Sequence, residues 1–547
     1  MLARVASFSL FRPVRGWLAL ALWAVACAAA AQTPPTPGTV LEGLQIKRLP
    51  AQGAAPAEFI FPKEGPIAAH GKDGRRFFVK GFHFEGNSVF TEARLRRVVE
   101  RFVDLQLNLY DLSKAADAVT RYYRDQGYPV ASAYVPVQRV EDGLVVIQVL
   151  EGKLGTLVFS GGRRYSSEML RGYVEELKGD PQITIGRLER SLLLMNDLPG
   201  LTARASLAPG ASRGETEATI DLEETPASLT LQFNNSGRKE AGALRMDVGG
   251  TINNPLGIGD QISLRAMRAE KNLMNYHSLG YSLPLGHQGL RLSLSDSAVD
   301  YRVAGDFAAL GIEGLVNSRD AYLTYPLRRS RISNIIVTGG VKSTEVRQTA
   351  LNAPLSASRL NVASIGSAAN WVHENSATTS LSATYSSNFR NNYGVNPDAL
   401  RGKLELDFTH LTGISSRWDA YTRINGMIGA GAVPDTEKFS LGGPDSVRGY
   451  RVAEFRGDRG YLLTVEFRRQ VAIGNRPAML SVFHDQGAVG NAGFAGLDKL
   501  SSWGTGSTIF LSKNSRIRGD IAWPTSRHVA GDGQTGARAW VSAVISF

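Results

Sequence analysis

Two side chains in this sequence carry the most specific chemistry, and it is the chemistry of charge pairing. Arg448 stands near the end of the stretch Leu441–Tyr450, where Gly442, Gly443 and Pro444 supply turn geometry and Val447, Gly449 and Tyr450 flank the cation. A guanidinium is a planar fork of donors matched to a carboxylate. The carboxylate comes one strand-like segment later, in Phe483-His484-Asp485-Gln486-Gly487. Successive strand side chains face opposite ways, so Phe483 and Asp485 share a face and His484 turns away. His484 and Asp485 therefore cannot act as a proton relay. The sequence has no Walker A stretch and no His-Glu-x-x-His. Its eight histidines are scattered, and its one cysteine is Cys27. The expectation is a protein that is not an enzyme and has no cofactor and no metal.

The elements that must position this pair follow from composition and pattern. At 547 residues the chain exceeds one ordinary domain. With 20% charged and 43% hydrophobic residues it is too polar for a helical membrane protein, while 58 glycines suit many turns and bent strands. A formal charge of +11 raises nucleic-acid binding, but Lys and Arg are scattered and no recognition motif accompanies them, so no nucleic acid is expected. Residues 1–31 read as a secretory signal peptide: Arg4, Arg12 and Arg15 precede the apolar run Trp17–Ala26, and Ala28–Ala31 offer a cleavage site. Lipid attachment at Cys27 is the competing reading, weakened by Ala24 where Leu is usual. No later run reaches the roughly 18 apolar residues of a membrane helix.

Residues 32–75 read as a linker, with a short helix over Thr39–Lys47. Residues 76–152 read as β-α-α-β-β. Thr91 is the expected N-cap of the first helix, the second follows Ser113 and ends at Gly127, and strands cover Val130–Val137 and Leu144–Val149. The order repeats in residues 153–225, with helices over Ser166–Leu177 and Gly186–Asp197 and strands over Leu201–Ala208 and Thr216–Glu223. Two consecutive α+β domains are the expectation, and one larger domain is the alternative.

From residue 226 to 547 the recurring pattern is alternation. Leu229, Leu231 and Phe233 alternate with Thr230 and Gln232, and Leu404, Leu406 and Phe408 with Lys403, Glu405 and Asp407. An apolar face on lipid and a charged face on a wet lumen define a transmembrane β-barrel. About sixteen antiparallel strands are expected, an even number as in bacterial barrels. Short turns are expected near Asn254–Gly257, Pro284–Gln288, His373–Ser376, Gly413–Ser416 and Asn475–Pro477. Long loops are expected over Asp300–Asn317, Ser343–Arg359, Gly431–Asp458, Gly490–Ser502 and Pro524–Gly536. The last strand, Ala537–Phe547, ends on an aromatic residue.

On these residues the chain resembles the two-partner secretion transporters, the haemolysin secretion/activation family of outer-membrane translocators. Residues 76–152 are similar to the family's first polypeptide-transport-associated (POTRA) domain through Gly127-Tyr128-Pro129, Ala133-Tyr134-Val135-Pro136, Asp142-Gly143 and Glu151-Gly152. Residues 153–225 are similar to the second through Asn196–Gly200 and Pro209-Gly210 with Gly214. Val447–Tyr450 resembles the signature of a sixth long loop that folds back into the barrel, and Phe483-x-Asp485-x-Gly487 its partner on the thirteenth strand.

The resemblance implies an outer-membrane translocator with periplasmic POTRA domains. It would export a large haemolysin- or adhesin-like exoprotein, unfolded, through the barrel. It further implies client capture as an added strand around Tyr128, Tyr134, Val135 and Val137. Phe547 would be the C-terminal signal read by the barrel-assembly machinery that inserts the protein among outer-membrane lipids. The N-terminal region is shorter than the plug helix of many members. An insertase of barrel proteins in the same superfamily is the alternative. A passive porin is disfavoured because it needs no periplasmic domains.

Overall fold

A computed structural model describes residues 34–42, 44, 59–60, 76–128, 130–140, 142–175, 184–209, 215–389, 392–395, 401–526, 533 and 536–547. The leader with Cys27, most of the linker, Pro129 and residues 210–214 lie outside the described residues. Within the linker stand α1 (Pro37–Glu42) and the two-residue strand β1 (Phe59–Ile60). α1 begins earlier than Thr39, because a proline at the first helical position loses no hydrogen bond.

The first small domain contains β2 (Phe77–Val79), β3 (Gly81–Glu85), α2 (Glu92–Val99), β4 (Leu105–Leu107), α3 (Leu109–Asp125), β5 (Ser132–Tyr134) and β6 (Leu144–Leu150). Its main sheet runs β3-β6-β5, with β3 parallel and β5 antiparallel to β6. Alternation on β6 sends Val145, Ile147 and Val149 into a core shared with Leu95, Val99, Leu112 and Val119. α3 starts at Asn108 rather than after Ser113. The Asn108 side chain accepts from Asp111 N at 2.9 Å while the Asp111 carboxylate accepts from Asn108 N at 3.3 Å, a capping box written with Asp in place of Glu. Thr91 occupies the N-cap of α2, but its side chain makes no capping bond. The strand expected over Val130–Val137 shortens to Ser132–Tyr134, since the Pro136 nitrogen cannot donate to a ladder.

The second small domain repeats the order with β7 (Lys153–Gly161), α4 (Ser167–Gly172), α5 (Ile185–Asn196), β8 (Leu201–Pro209) and β9 (Glu215–Glu224). Again the third strand is central: β7 runs parallel and β8 antiparallel to β9. Here β1 adds itself in parallel to the outer edge of β8, Phe59 opposite Ala205 and Ile60 opposite Ser206. Residues 210–214 spell Gly-x-Ser-x-Gly, but a nucleophile elbow needs a strand before it and a helix after it, and both flanks here are strands.

The remaining chain closes into a barrel of sixteen strands. In order these are β10 (Ala227–Asn234), β11 (Arg245–Asn253), β12 (Gln261–Ala269), β13 (Met274–Pro284), β14 (Arg291–Arg302), β15 (Glu313–Arg329), β16 (Ser333–Ala350) and β17 (Ala353–Val372). They continue with β18 (Thr378–Asn388), β19 (Lys403–Ser415) and β20 (Trp418–Gly429). After an inner hairpin of β21 (Phe439–Leu441) and β22 (Phe455–Gly457) come β23 (Arg459–Ile473), β24 (Arg476–Gly490), β25 (Asp498–Ser512), β26 (Ser515–Pro524) and β27 (Arg538–Ser546). β27 pairs antiparallel with β10, and Phe547 N donates to Leu229 O at 2.8 Å as the closure ends.

The alternation has the expected sense. Leu229, Phe233, Leu404, Leu406, Phe467 and Val482 are exposed on the outer face, whereas Arg245, Asp247, Lys403 and Glu466 are buried on the inner one. Two expected loops are corrected. The loop expected over Asp300–Asn317 narrows to Val303–Ile312 between β14 and β15, and nearly all of Ser343–Arg359 is strand, because β15, β16 and β17 reach 17, 18 and 20 residues and a turn of only Leu351 and Asn352 joins the last two. About 9–11 residues suffice to cross a bilayer, so these strands rise beyond it. There the outward positions Arg319, Glu345, Arg347 and Arg359 are polar, and the alternation that marks a lipid-facing strand disappears. The Gly490–Ser502 loop is also shorter than expected, since β25 starts at Asp498. Part of the Pro524–Gly536 loop lies outside the described residues.

The turns β11–β12, β13–β14 and β15–β16 sit on the second small domain. Arg329 grips Asp197 through Nε and Nη2 at 2.9 and 2.8 Å. Arg331 N donates to Glu189 at 2.6 Å, Asn254 Nδ2 donates to Arg164 O at 3.0 Å, and His287 meets the Tyr173 ring edge-on at 5.1 Å.

Candidate functional site in the barrel lumen

Residues 430–458, between β20 and β23, form the sixth connection on the side away from the small domains, and they fold into the barrel. β21 and β22 pair as its stem. Gly442 and Gly443 take φ of 100° and 110°, a region that costs a residue with a Cβ. Their turn closes when Gly443 N donates to Tyr450 O at 3.0 Å and Tyr450 N to Val447 O at 3.2 Å. Leu441, Val447 and Tyr450 are fully buried, and they pack with Met427, Leu462, Val489 and Leu500 of the wall.

This turn delivers Arg448 to Asp485. Nε and Nη2 donate to the two carboxylate oxygens at 2.8 and 2.9 Å, and the Arg448 backbone N–H adds a third bond at 3.2 Å. Asp485 is 0% exposed and also accepts from Thr464 Oγ1 at 3.0 Å. The guanidinium carbon lies 3.1 Å from the centre of the Phe483 ring. The Phe-x-Asp-x-Gly spacing thus has three jobs. Phe483 is a platform for the cation, Asp485 its acceptor, and Gly487 leaves room for Leu441, whose Cδ2 would lie 2.7 Å from a Cβ placed there. Gly449 serves the same end on the loop side, where a Cβ would come 2.8 Å from Ser502 Cβ. Trp540 Nε1 donates to Arg448 O at 2.7 Å, Gly449 N to Ser502 Oγ at 3.1 Å, and Tyr450 shares a hydrogen bond with Ser526. His484 points outward, as the alternation requires.

The pair belongs to a larger charge network that sequence reasoning missed. Arg448 Nη1 also donates to Glu466 at 3.1 Å and lies 3.9 Å from Asp520, so one cation is ringed by carboxylates from β23, β24 and β26. Arg451 joins Glu240 at 3.2 Å and Glu454 at 2.8 Å. Earlier in the connection, Glu437 meets Lys342 and Lys403, and Asp435 accepts from Gly38 N at 2.7 Å. α1 therefore sits inside the barrel, where Val40 and Leu44 pack with Met267, Met274, Val299 and Tyr301. The short N-terminal region still supplies a lumenal helix.

The four residues expected to capture a client do not form one groove. Tyr128 belongs to an aromatic cluster, 5.7 Å from Phe90 and 6.1 Å from Tyr123. Val135 is half-buried against the core, Tyr134 ends the edge strand β5, and Val137 is fully exposed beyond it.

A closed sixteen-stranded barrel holding its own loop by an arginine–carboxylate pair, with small α+β domains docked beneath, defines an outer-membrane polypeptide transporter with periplasmic POTRA domains. Residues 217–509, more than half of the chain, match the family described as haemolysin secretion/activation protein ShlB/FhaC/HecB, and residues 77–152 match the POTRA domain, ShlB-type. The chain belongs to the haemolysin secretion/activation family. It is 23% identical over 541 residues to the heme/hemopexin transporter protein HuxB of Haemophilus influenzae, covering 94% of this chain and 95% of that one. It is 24% identical over 424 residues to the outer membrane transporter CdiB of Escherichia coli O6:K15:H31 (strain 536 / UPEC), covering 73% and 70%. The solved structure of CdiB from Escherichia coli covers 99% of this chain and all of its own, with a TM-score of 0.71 at 18% identity, a likeness of fold.

Proposed function

We propose that this protein exports one large partner exoprotein from the periplasm to the cell surface, passing it unfolded through the barrel. The observation that carries the reading is the connection 430–458, seated in the lumen on Asp485 by Arg448 and accompanied by small domains at the periplasmic mouth. A solute pore needs neither feature. With no nucleotide motif in the sequence, folding of the client outside supplies the direction of travel.

Capture of the client at the first small domain rests on a likeness between the two domains. In the second, the outer edge of β8 takes the extended segment β1 as a parallel strand. The corresponding edge in the first is β5, which has no further strand partner among the described residues. An extended client segment fits there by strand addition. Outer-membrane lipid around the apolar face and the barrel-assembly machinery during insertion are the remaining partners.

Deleting the gene should remove one large secreted protein from the culture medium and leave other outer-membrane barrels at normal abundance. Loss of many barrels would instead favour an insertase. In the complemented strain, Arg448→Ala should insert as a heat-modifiable barrel and lower export by about tenfold or more, as expected when a buried charge pair is broken. Unchanged export would sink the role given to the pair.

A further inference from the structure

The lumenal connection is held on a second arc of the wall, by charges that the signature motifs do not include. Glu437 lies on the outgoing limb of the loop and is buried. Its carboxylate meets Lys342 Nζ at 2.5 Å and Lys403 Nζ at 2.8 Å. Lys403 also contacts Glu405 at 3.1 Å and donates to the Glu437 carbonyl at 3.4 Å. The two lysines come from β16 and β19, whereas the carboxylates around Arg448 come from β23, β24 and β26. The loop is thus fastened to the wall at two separated places.

The neighbouring contacts make this end a junction. Asp435 accepts from Gly38 N of α1 at 2.7 Å and pairs with Arg456 of the returning limb at 2.5 Å. The lumenal helix and both limbs of the loop therefore meet beside Glu437. A carboxylate enclosed by two ammonium groups in a site this buried is strongly destabilised when its charge is removed, because the lysines are left facing each other.

We propose that Glu437, with Lys342 and Lys403, is a second positioning tether, and that closure of the pore at rest requires it as well as Arg448. The inference rests on the export reading above, since a polypeptide can pass only if the loop clears the lumen.

The test is single-channel recording of the purified full-length protein in planar lipid bilayers, without client. Glu437→Gln should raise the fraction of time spent open by about tenfold or more, the factor that loss of a buried pair supplies. Glu437→Asp, which keeps the charge, should stay near the parent trace, and Lys403→Met should reproduce the leaky one. A folded, heat-modifiable Glu437→Gln barrel as quiet as the parent overturns the proposal, as does a Glu437→Asp barrel as leaky as Glu437→Gln. Should Glu437→Gln fail to fold, Lys342→Met takes its place with the same two outcomes. Export is scored separately in cells. A gene deletion that costs no exoprotein overturns the export reading while the conductance result stands, and a silent Glu437→Gln channel in an exporting strain overturns the tether alone.

Discussion

The Glu151 carboxylate collects donors from Ser88 N at 2.7 Å, Ser88 Oγ at 2.6 Å, Val89 N at 2.7 Å and Tyr123 OH at 2.8 Å, and so ties the turn before α2 to α3. Burial pushes this carboxyl up, but the bonds from Ser88, Val89 and Tyr123 outweigh it and hold it below the ordinary 4.5. A folded pKa below the unfolded one means that the stabilisation is complete above the unfolded value and drains away only as pH falls through the folded one. The protection factors of the Ser88 and Val89 amides, relative to an unfolded chain at the same pH, should therefore hold down to pH 4.5 and fall below it. Glu151→Gln puts an amide donor against these donors and should cost about 1–3 kcal/mol. Protection that already falls above pH 4.5, or a glutamine variant as protected as the parent, would contradict this. Legibility at this scale depended on grouping. Arg448 and Asp485 stand in compact patterns that announce a pair. Glu437 and Lys342, 95 residues apart, are ordinary charges in sequence until the closed barrel brings them together.

β1 is the smallest of the described strands, and its partner edge makes it testable. Ile60→Pro removes a backbone donor and restricts the residue before it, so the parallel pairing with Ala205 and Ser206 should fail. Amide exchange at Ala205–Leu207 should rise while that of β9, the central strand, stays slow. Equal protection in both proteins would mean that β1 does not hold that edge. Nothing in the linker sequence announced this strand, because a two-residue pairing has no periodicity to detect. The barrel strands were readable wherever one face met lipid and the other water. They failed to read as strands in the upper parts of β16 and β17, where polar residues such as Glu345, Arg347 and Gln348 follow no simple alternation with the apolar ones. The α3 start was missed for a different reason. Asn108 and Asp111 make a capping box without Ser, Thr, Glu or Gln, and Ser113 drew attention to the wrong turn.

The two small domains and the barrel were each legible, but their docking was not, since it joins turns to helix ends far apart in the chain. Arg329, buried at 6% side-chain exposure, gives it a forked contact with Asp197. Arg329→Met keeps the bulk and removes the fork to Asp197, which should weaken the dock by about 1.5–3 kcal/mol. Spin labels placed across the interface should then report a broader distance distribution, and an unchanged distribution would show that packing at Tyr173 and His287 suffices. The far end of the molecule has a different consequence. β16 and β17 lift an ordered, polar hairpin clear of the bilayer, with Glu345 bridging Arg347 and Arg359 at 2.7 and 3.2 Å. For an antibody or a bacteriophage approaching from outside, that hairpin offers a target of exposed side chains, Arg347 and Leu351 among them.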